Sequence, residues 1–251
     1  MKGQGGGGTA KGGGKNKSAG QTVKVETSKP RQTAAINDSI VALRAAIFDE
    51  NGKDKDVTKE IAPSFMKFDR NGLDVSIEFA TKLSKEDAKW AFELVKETME
   101  EKYDTSGYGW DDEDKMRELT EKEARFLVVR EWPSEEGQTR GEPVGFVHFR
   151  FTVQGEVIDK MAGEASLHIY DIHIEDHSQR KGLGKHLLML LELIARREKM
   201  KVLTLPVQLG DAETTEWITH TGRGWAVDES LADIGFDADL EVFITLASLT
   251  Y

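Results

Sequence analysis

The sequence predicts an α/β protein with a mixed central sheet flanked by helices. Two observations carry this. Strand-like segments follow one another through the middle of the chain and then alternate with helical ones, the order expected when helices pack on the faces of a partly antiparallel sheet. The strand-like run Leu167–Ile174 also leads, through the loop Gln179-Arg180-Lys181-Gly182-Leu183-Gly184, into a long apolar helix that starts near Lys185.

In chain order, residues 1–32 come first. Gly5 to Gly8 and Gly12 to Gly14, set among lysines, bury no core, so a disordered basic tail is expected. Residues 33–62 read as a helix, with Ile36, Ile40, Leu43 and Ile47 at helical spacing, followed by a charged linker containing Asn51-Gly52. One domain is expected over residues 63–251. Leu73, Val75 and Ile77 alternate with polar residues and predict a strand. Ser84, with Asp87 three residues on, opens a helix to about 102 whose apolar face holds Ala88, Ala91, Leu94, Val95 and Met99. An aromatic, turn-rich loop from Tyr103 to Trp110 leads to a short charged helix ending near Leu119. Strands are expected at Arg125–Glu131, Pro143–Val153 and 166–174, with a hairpin loop over 134–142 and a polar insertion over 154–164. The loop and helix 178–199, strand Lys201–Pro206, helix 212–220 and strands near 225–228 and 240–247 complete the chain.

Composition narrows the function. The 251 residues include no cysteine, which excludes disulfides, thiolate metal sites and a cysteine nucleophile. The net charge is −11, but residues 1–31 carry seven basic side chains against Glu26 alone, so the remainder carries −17. An acidic body repels nucleic acid and attracts basic substrates. No apolar run is long enough for a membrane span and no secretory h-region is present, so nucleus and cytoplasm are the expected location. A monomer with no membrane partner is expected. No His-Glu-x-x-His or Gly-x-Ser-x-Gly occurs, so neither a metal centre nor a serine triad is expected.

A strand, a glycine-bearing loop and a helix N-terminus together form a phosphate cradle: loop amides point inward and the helix dipole favours an anion. Arg180, Lys181 and Lys185 add formal charge. The loop is neither a Walker A nor a Rossmann fingerprint. It fits Gln/Arg-x-x-Gly-x-Gly/Ala, which resembles the pyrophosphate loop of the GNAT acetyltransferases. Further segments are similar to one branch of that superfamily, the N-alpha-acetyltransferase D (NatD) family, which acetylates histone N-termini. They are Asp69-Arg70-Asn71-Gly72-Leu73, Trp90-Ala91-Phe92-Glu93-Leu94, Tyr108-Gly109-Trp110 and His148-Phe149-Arg150-Phe151.

The resemblance implies a GNAT acyl-CoA N-acyltransferase fold, acetyl-CoA as co-substrate and histone tails beginning Ser-Gly-Arg-Gly as acceptors. It implies acetyl-CoA binding by Ile172, His173 and Ile174 on the strand and by Gln179, Arg180, Lys181, Gly182, Leu183, Gly184 and Lys185 in the loop. Backbone N–H groups of Ile172 and His173 are the candidates for polarising the thioester carbonyl. Asp171 stands where the family carries a catalytic glutamate, and an Asp171–water relay is expected to take the amine proton. His173 is the competing base, and Tyr170 is placed to protonate the leaving thiolate or pack over the acetyl group. Tyr108, Trp110 and His168 are implied to line the acceptor site. The family's arginine-holding acids fall on Thr152 and Gln154, neither acidic, so Glu156 or Asp159 is expected to compensate. With no cysteine, transfer is expected to be direct.

Overall fold

The computed structural model describes residues 29–133, 140–154, 163–208, 211–221, 225–227 and 243–249. Its helices are α1 (Lys29–Ile47), α2 (Lys85–Thr105), α3 (Asp112–Thr120), α4 (Leu183–Arg197) and α5 (Ala212–Thr221). Its strands are β1 (Lys67–Arg70), β2 (Leu73–Ala80), β3 (Arg125–Glu131), β4 (Pro143–Gln154), β5 (Glu164–Ile174), β6 (Val202–Gln208), β7 (Ala226–Val227) and β8 (Phe243–Leu249). They form one eight-stranded sheet in the order β1-β2-β3-β4-β5-β6-β8-β7. β1 to β5 run antiparallel, β5 and β6 are parallel, and β8 lies antiparallel to both β6 and β7.

Two apolar layers cover the sheet. On one face Ala91, Leu94 and Val95 of α2 and Leu119 of α3 pack against Phe126, Val128 and Phe146. On the other, Leu187, Leu190, Leu191 and Ile194 of α4 pack with Val147, Phe149, Leu167 and Ile169. Helix α2 starts where its cap predicts: the Ser84 hydroxyl accepts the Asp87 N–H at 3.0 Å. Asp111 caps α3 in the same way, accepting from the Asp114 N–H at 2.9 Å.

Three elements differ from expectation. Helix α1 begins at Lys29, four residues before residue 33. The segment expected to be a charged linker contributes Val57 and Ile61 to the same core as Ala46 of α1. It is tied down by Lys55 to Glu198 at 2.6 Å and by Asp54 to the buried Arg125 at 2.9 Å. The partners of these charges lie far along the chain, so no local pattern announces them. Strand β1 has only Phe68 as an apolar residue and is too short to alternate visibly. It pairs with β2 through Asn71 and Gly72, at φ 53° and 73°, the left-handed pair a type I′ hairpin requires. Among the described residues, no helix is long and apolar enough to cross a membrane.

Candidate active site

β5 and β6 pair only from Ser166–Val202 to His168–Thr204. Beyond that rung β5 runs on to Ile174 and β6 to Gln208 without pairing to each other. His168 Nδ1 and Thr204 Oγ1, 2.8 Å apart, mark the vertex. The wedge between the strands holds a cavity of about 440 Å³, walled by Ile172 and Ile174 on one side, Leu205 and Val207 on the other, and Trp217 of α5. The loop before α4 forms one end of it, with Gln179, Arg180, Gly182, Gly184 and Lys185 on its lining.

The open edge of β5 supplies backbone donors. The Glu175 N–H donates to the Val144 carbonyl at 2.9 Å. Hydrogen-bonded pairs alternate in an antiparallel ladder, so the N–H groups of His173 and Asp171 also turn towards β4. Those of Ile172 and Ile174 turn towards the wedge. This corrects the expected donor pair: Ile172 faces the cleft, its companion is Ile174, and the His173 N–H belongs to the β4 ladder.

The loop itself is curled. Arg180 and Gly182 adopt φ 59° and 94°, which turns successive N–H groups inward as in an anion nest, next to the first turn of α4. A long, narrow, pyrophosphate-bearing molecule fits this cleft and loop. Gly182 is at a φ that L side chains rarely adopt, and a Cβ there would sit 3.7 Å from the Phe68 ring and 3.9 Å from Asn71 Nδ2. A Gly182→Trp variant that retains its fold by circular dichroism is expected to lose CoA affinity by more than about 100-fold in calorimetry, since each tenfold needs only about 1.4 kcal/mol. Unchanged affinity would remove the loop from the binding site.

A bulge shapes the chemistry. The register shifts at His148–Phe149, leaving Tyr170 as the extra residue on β5. Tyr170 and Asp171 therefore both turn to the α2–α3 face. Tyr170 stacks on His148 with ring centres 4.7 Å apart. Asp171 is 5% exposed, with Oδ2 3.2 Å from His148 Nδ1 and Oδ1 3.3 Å from Lys115 Nζ. Burial alone would push its carboxyl up. The Lys115 charge and the His148 imidazole outweigh burial and hold it well below the usual carboxylate range. Lys115, itself buried against Glu118 at 2.6 Å, is disfavoured as a cation by burial, yet the two carboxylates more than offset this and raise its pKa. With both oxygens engaged and its charge held, Asp171 is a fixed anion and a poor proton acceptor. That is the physical difficulty for the expected Asp171–water relay.

His173 is differently placed. The Thr98 hydroxyl donates to the Leu94 carbonyl at 2.8 Å, leaving its oxygen to accept from His173 Nδ1 at 3.0 Å. In the tautomer that completes this chain the proton is on Nδ1, and Nε2, 3.7 Å from Asp171 Oδ1, keeps its lone pair. His173, Asp171 and Tyr170 all line the wedge.

A second cavity, of about 680 Å³, opens on the α3 side and shares Tyr103 and Tyr170 with the wedge. Its wall carries the acids Asp111, Asp114, Glu118 and Glu121 and the cations Lys115, Arg117 and Arg150, which pair with Glu118, Asp114 and Glu121, with Trp110 and Tyr108 at its aromatic end. Burial pushes the Tyr103 phenol up to about 12, ahead of the opposing Lys115 charge, and burial also raises Tyr170. Both phenols keep their protons at neutral pH. Arg150 lies over the Tyr170 ring at 4.3 Å and pairs with Glu121.

Of the residues expected at the acceptor site, Tyr108 and Trp110 line this cavity. His168 does not. It sits behind Tyr170 at the sheet vertex, and burial, then His148 and Arg150, lower it to about 4. Thr152 lines neither cavity, Gln154 ends β4, and Glu156 and Asp159 lie outside the described residues. The acids instead come from α3 and its ends: Asp114 and Glu118 lie on the helix, Asp111 is its N-cap and Glu121 its C-cap. A signal was available: Asp111, Asp114, Glu118 and Glu121 recur at steps of three and four, one face of a helix. Lys115, Tyr103 and Thr98 were also missed, because only the packing of α2 and α3 on β5 gives them partners. Glu118, His148 and Asp171 have ligand atoms within 4.8 Å of one another, but the Lys115 ammonium already supplies the cation between the two carboxylates.

A model of the acetyltransferase (GNAT) family matches residues 91–218, just over half of the chain. Among solved structures, Arabidopsis thaliana NAA60 in complex with a bisubstrate analogue is similar, with 9% identity, a TM-score of 0.50, and coverage of 69% of this chain and 99% of that one. The PaiA N-acetyltransferase of Thermoplasma acidophilum in complex with coenzyme A has 17% identity and a TM-score of 0.44, covering 69% and 99%. Ard1 of Thermoplasma volcanium has 15% identity and a TM-score of 0.45, covering 70% and 98%. Likeness at such identities is a likeness of fold.

Proposed function

This chain belongs to the GNAT acetyltransferase family, with acetyl-CoA as its co-substrate, and from that premise we propose that it acetylates the α-amine of histone-type N-termini beginning Ser-Gly-Arg-Gly. The observation that carries this reading is the cavity beside α3, where four acids outnumber three cations, joined to the wedge at Tyr103 and Tyr170. A cationic peptide lying along Asp114, Glu118 and Glu121 would compete for these carboxylates with Arg117, Lys115 and Arg150, which pair with them now. The amine would then reach the wedge between the two tyrosines.

Acetyl-CoA supplies a thioester, at whose carbonyl carbon a C–N bond forms as the C–S bond breaks. The Ile172 and Ile174 N–H groups stabilise the charge that develops on the carbonyl oxygen. His173 Nε2 takes the proton that the α-ammonium must lose, and the fixed Asp171 anion favours the imidazolium so formed. A Tyr103 or Tyr170 phenol donates a hydrogen bond to the departing sulfur, which leaves as the thiol with the second proton that the amine nitrogen sheds. An α-amine, with an ordinary pKa of about 7.7–8.0, needs far less help in losing its proton than a lysine side chain at about 10.4.

The test is turnover on synthetic peptides, with the acetyl group mapped by fragmentation. A Ser-Gly-Arg-Gly start is expected to exceed its Ser-Gly-Ala-Gly analogue roughly tenfold or more in kcat/KM, and the acetyl group is expected on the α-amine. A Glu118→Gln/Glu121→Gln variant is expected to raise peptide KM by about tenfold with kcat less affected, the pattern of lost uniform binding. Equal kcat/KM for the two peptides would overturn the arginine preference, and acetyl on lysine alone would overturn the α-amine assignment.

A further inference from the structure

We propose that Asn71, in the β1–β2 hairpin, is a positioning residue for the pyrophosphate loop. It would act by holding the Lys181 carbonyl so that the next peptide N–H faces the cradle. Asn71 Nδ2 donates to the Lys181 carbonyl at 2.7 Å, a contact that spans 110 positions in the sequence. A trans peptide points its C=O and N–H in opposite directions. Pulling the Lys181 oxygen towards the hairpin therefore aims the Gly182 N–H the other way, into the curl formed by Arg180 and Gly182 at φ 59° and 94°. Left unheld, a loop containing two left-handed residues would be free to flip this peptide and would present a carbonyl oxygen to an anion.

The hairpin is well fixed for this purpose. Phe68 of β1 lies 3.7 Å from where a Gly182 Cβ would be, and its ring packs on His186 of α4 at 5.4 Å. His186 Nε2 in turn lies 2.8 Å from the Phe65 carbonyl. Asn71 itself is in the left-handed region, where Asn, Asp and Gly are the residues best tolerated. Turn geometry alone would accept any of the three. Only Asn brings a donor that reaches Lys181: Asp offers an acceptor and Gly offers nothing.

The inference rests on acetyl-CoA occupying the wedge. Asn71→Gly and Asn71→Asp both keep the turn, and each is compared with the wild type in CoA calorimetry, steady-state kinetics and thermal melting. Both are expected to raise the CoA Kd and the acetyl-CoA KM by roughly tenfold, the equivalent of about 1.4 kcal/mol. Their kcat, peptide KM and melting temperature should stay close to the wild type. Competition by pantetheine, which lacks the pyrophosphate, should be unchanged by either substitution. A CoA Kd within twofold of wild type in both variants overturns the latch, and so does an equal weakening of pantetheine, which would mark general loosening. Failure of the wild type to bind CoA would instead overturn the reading of the wedge.

Discussion

His173→Gln is expected to lower kcat by roughly 10²- to 10⁴-fold, the usual range for losing a positioned base, with the acetyl-CoA KM little changed. The reason is the arrangement around the ring. Thr98 lies 3.0 Å from Nδ1, Nε2 lies 3.7 Å from Asp171, and the residue lines the wedge. Thr98→Val should cost less, because the ring keeps its place and loses only the bond that selects its tautomer. The competing assignment has a distinct signature. Near-wild-type activity in His173→Gln together with a collapse of kcat in Asp171→Asn would return the role to a carboxylate–water relay. Because Asp171 is held by Lys115 and His148, Asp171→Asn is expected to disturb folding as well, so the comparison requires melting curves for both variants.

Lys115→Met is expected to destabilise the protein by about 3–5 kcal/mol in denaturant unfolding at neutral pH, the scale for breaking a buried pair from one side. Lys115 is 10% exposed and Asp171 5%, so water cannot replace the lost partner. The pH dependence follows from the signs of the two shifts. Asp171 is lowered in the folded state, so its contribution is complete above the ordinary carboxylate value of about 3.9 and is lost only as pH falls below it. Lys115 is raised, so its contribution is complete below about 10.4 and fades as pH rises beyond it. The wild type should therefore hold its stability across neutral pH. In Lys115→Met the acid transition should move upward, since Asp171 loses its strongest compensating charge. The Lys115→Met/Asp171→Asn double variant should recover part of the loss. A loss below about 1 kcal/mol in the single variant would mean that the pair is not structurally important.

The strand–loop–helix unit proposed to hold the co-substrate was legible in the sequence because its pattern is local. Strand β5, the loop with Gly182 and Gly184, and amphipathic α4 are contiguous, and a loop of that kind before a helix N-terminus has few other uses. Strands β2 to β6 and helices α2 to α4 were legible for a similar reason: each carries its own periodicity, and Ser84 marks its helix start with a cap. Strand β1 was not, since four residues with a single apolar side chain show no period, and its hairpin turn Asn71-Gly72 reads equally well as loop.

The side-chain environment of the site belongs to tertiary structure. Asp171 in isolation is an ordinary carboxylate. It becomes a fixed anion because α3 brings Lys115 to it and β4 brings His148, from 56 and 23 positions away. The acids Glu118 and Glu121 look like the solvated side of a short helix until that helix is laid beside Tyr170 and Arg150. Even the shared orientation of Tyr170 and Asp171 depends on a bulge set by pairing with β4, which no reading of alternation along β5 reveals. Sequence by itself thus determined the fold class and the strand–loop–helix unit proposed for the co-substrate, because propensity, period and turn chemistry act over a few residues. Tertiary structure decided which partners surround Asp171 and His173 and where the charged wall of α3 lies, because protonation and charge complementarity depend on partners that only the packed sheet brings within a few ångströms.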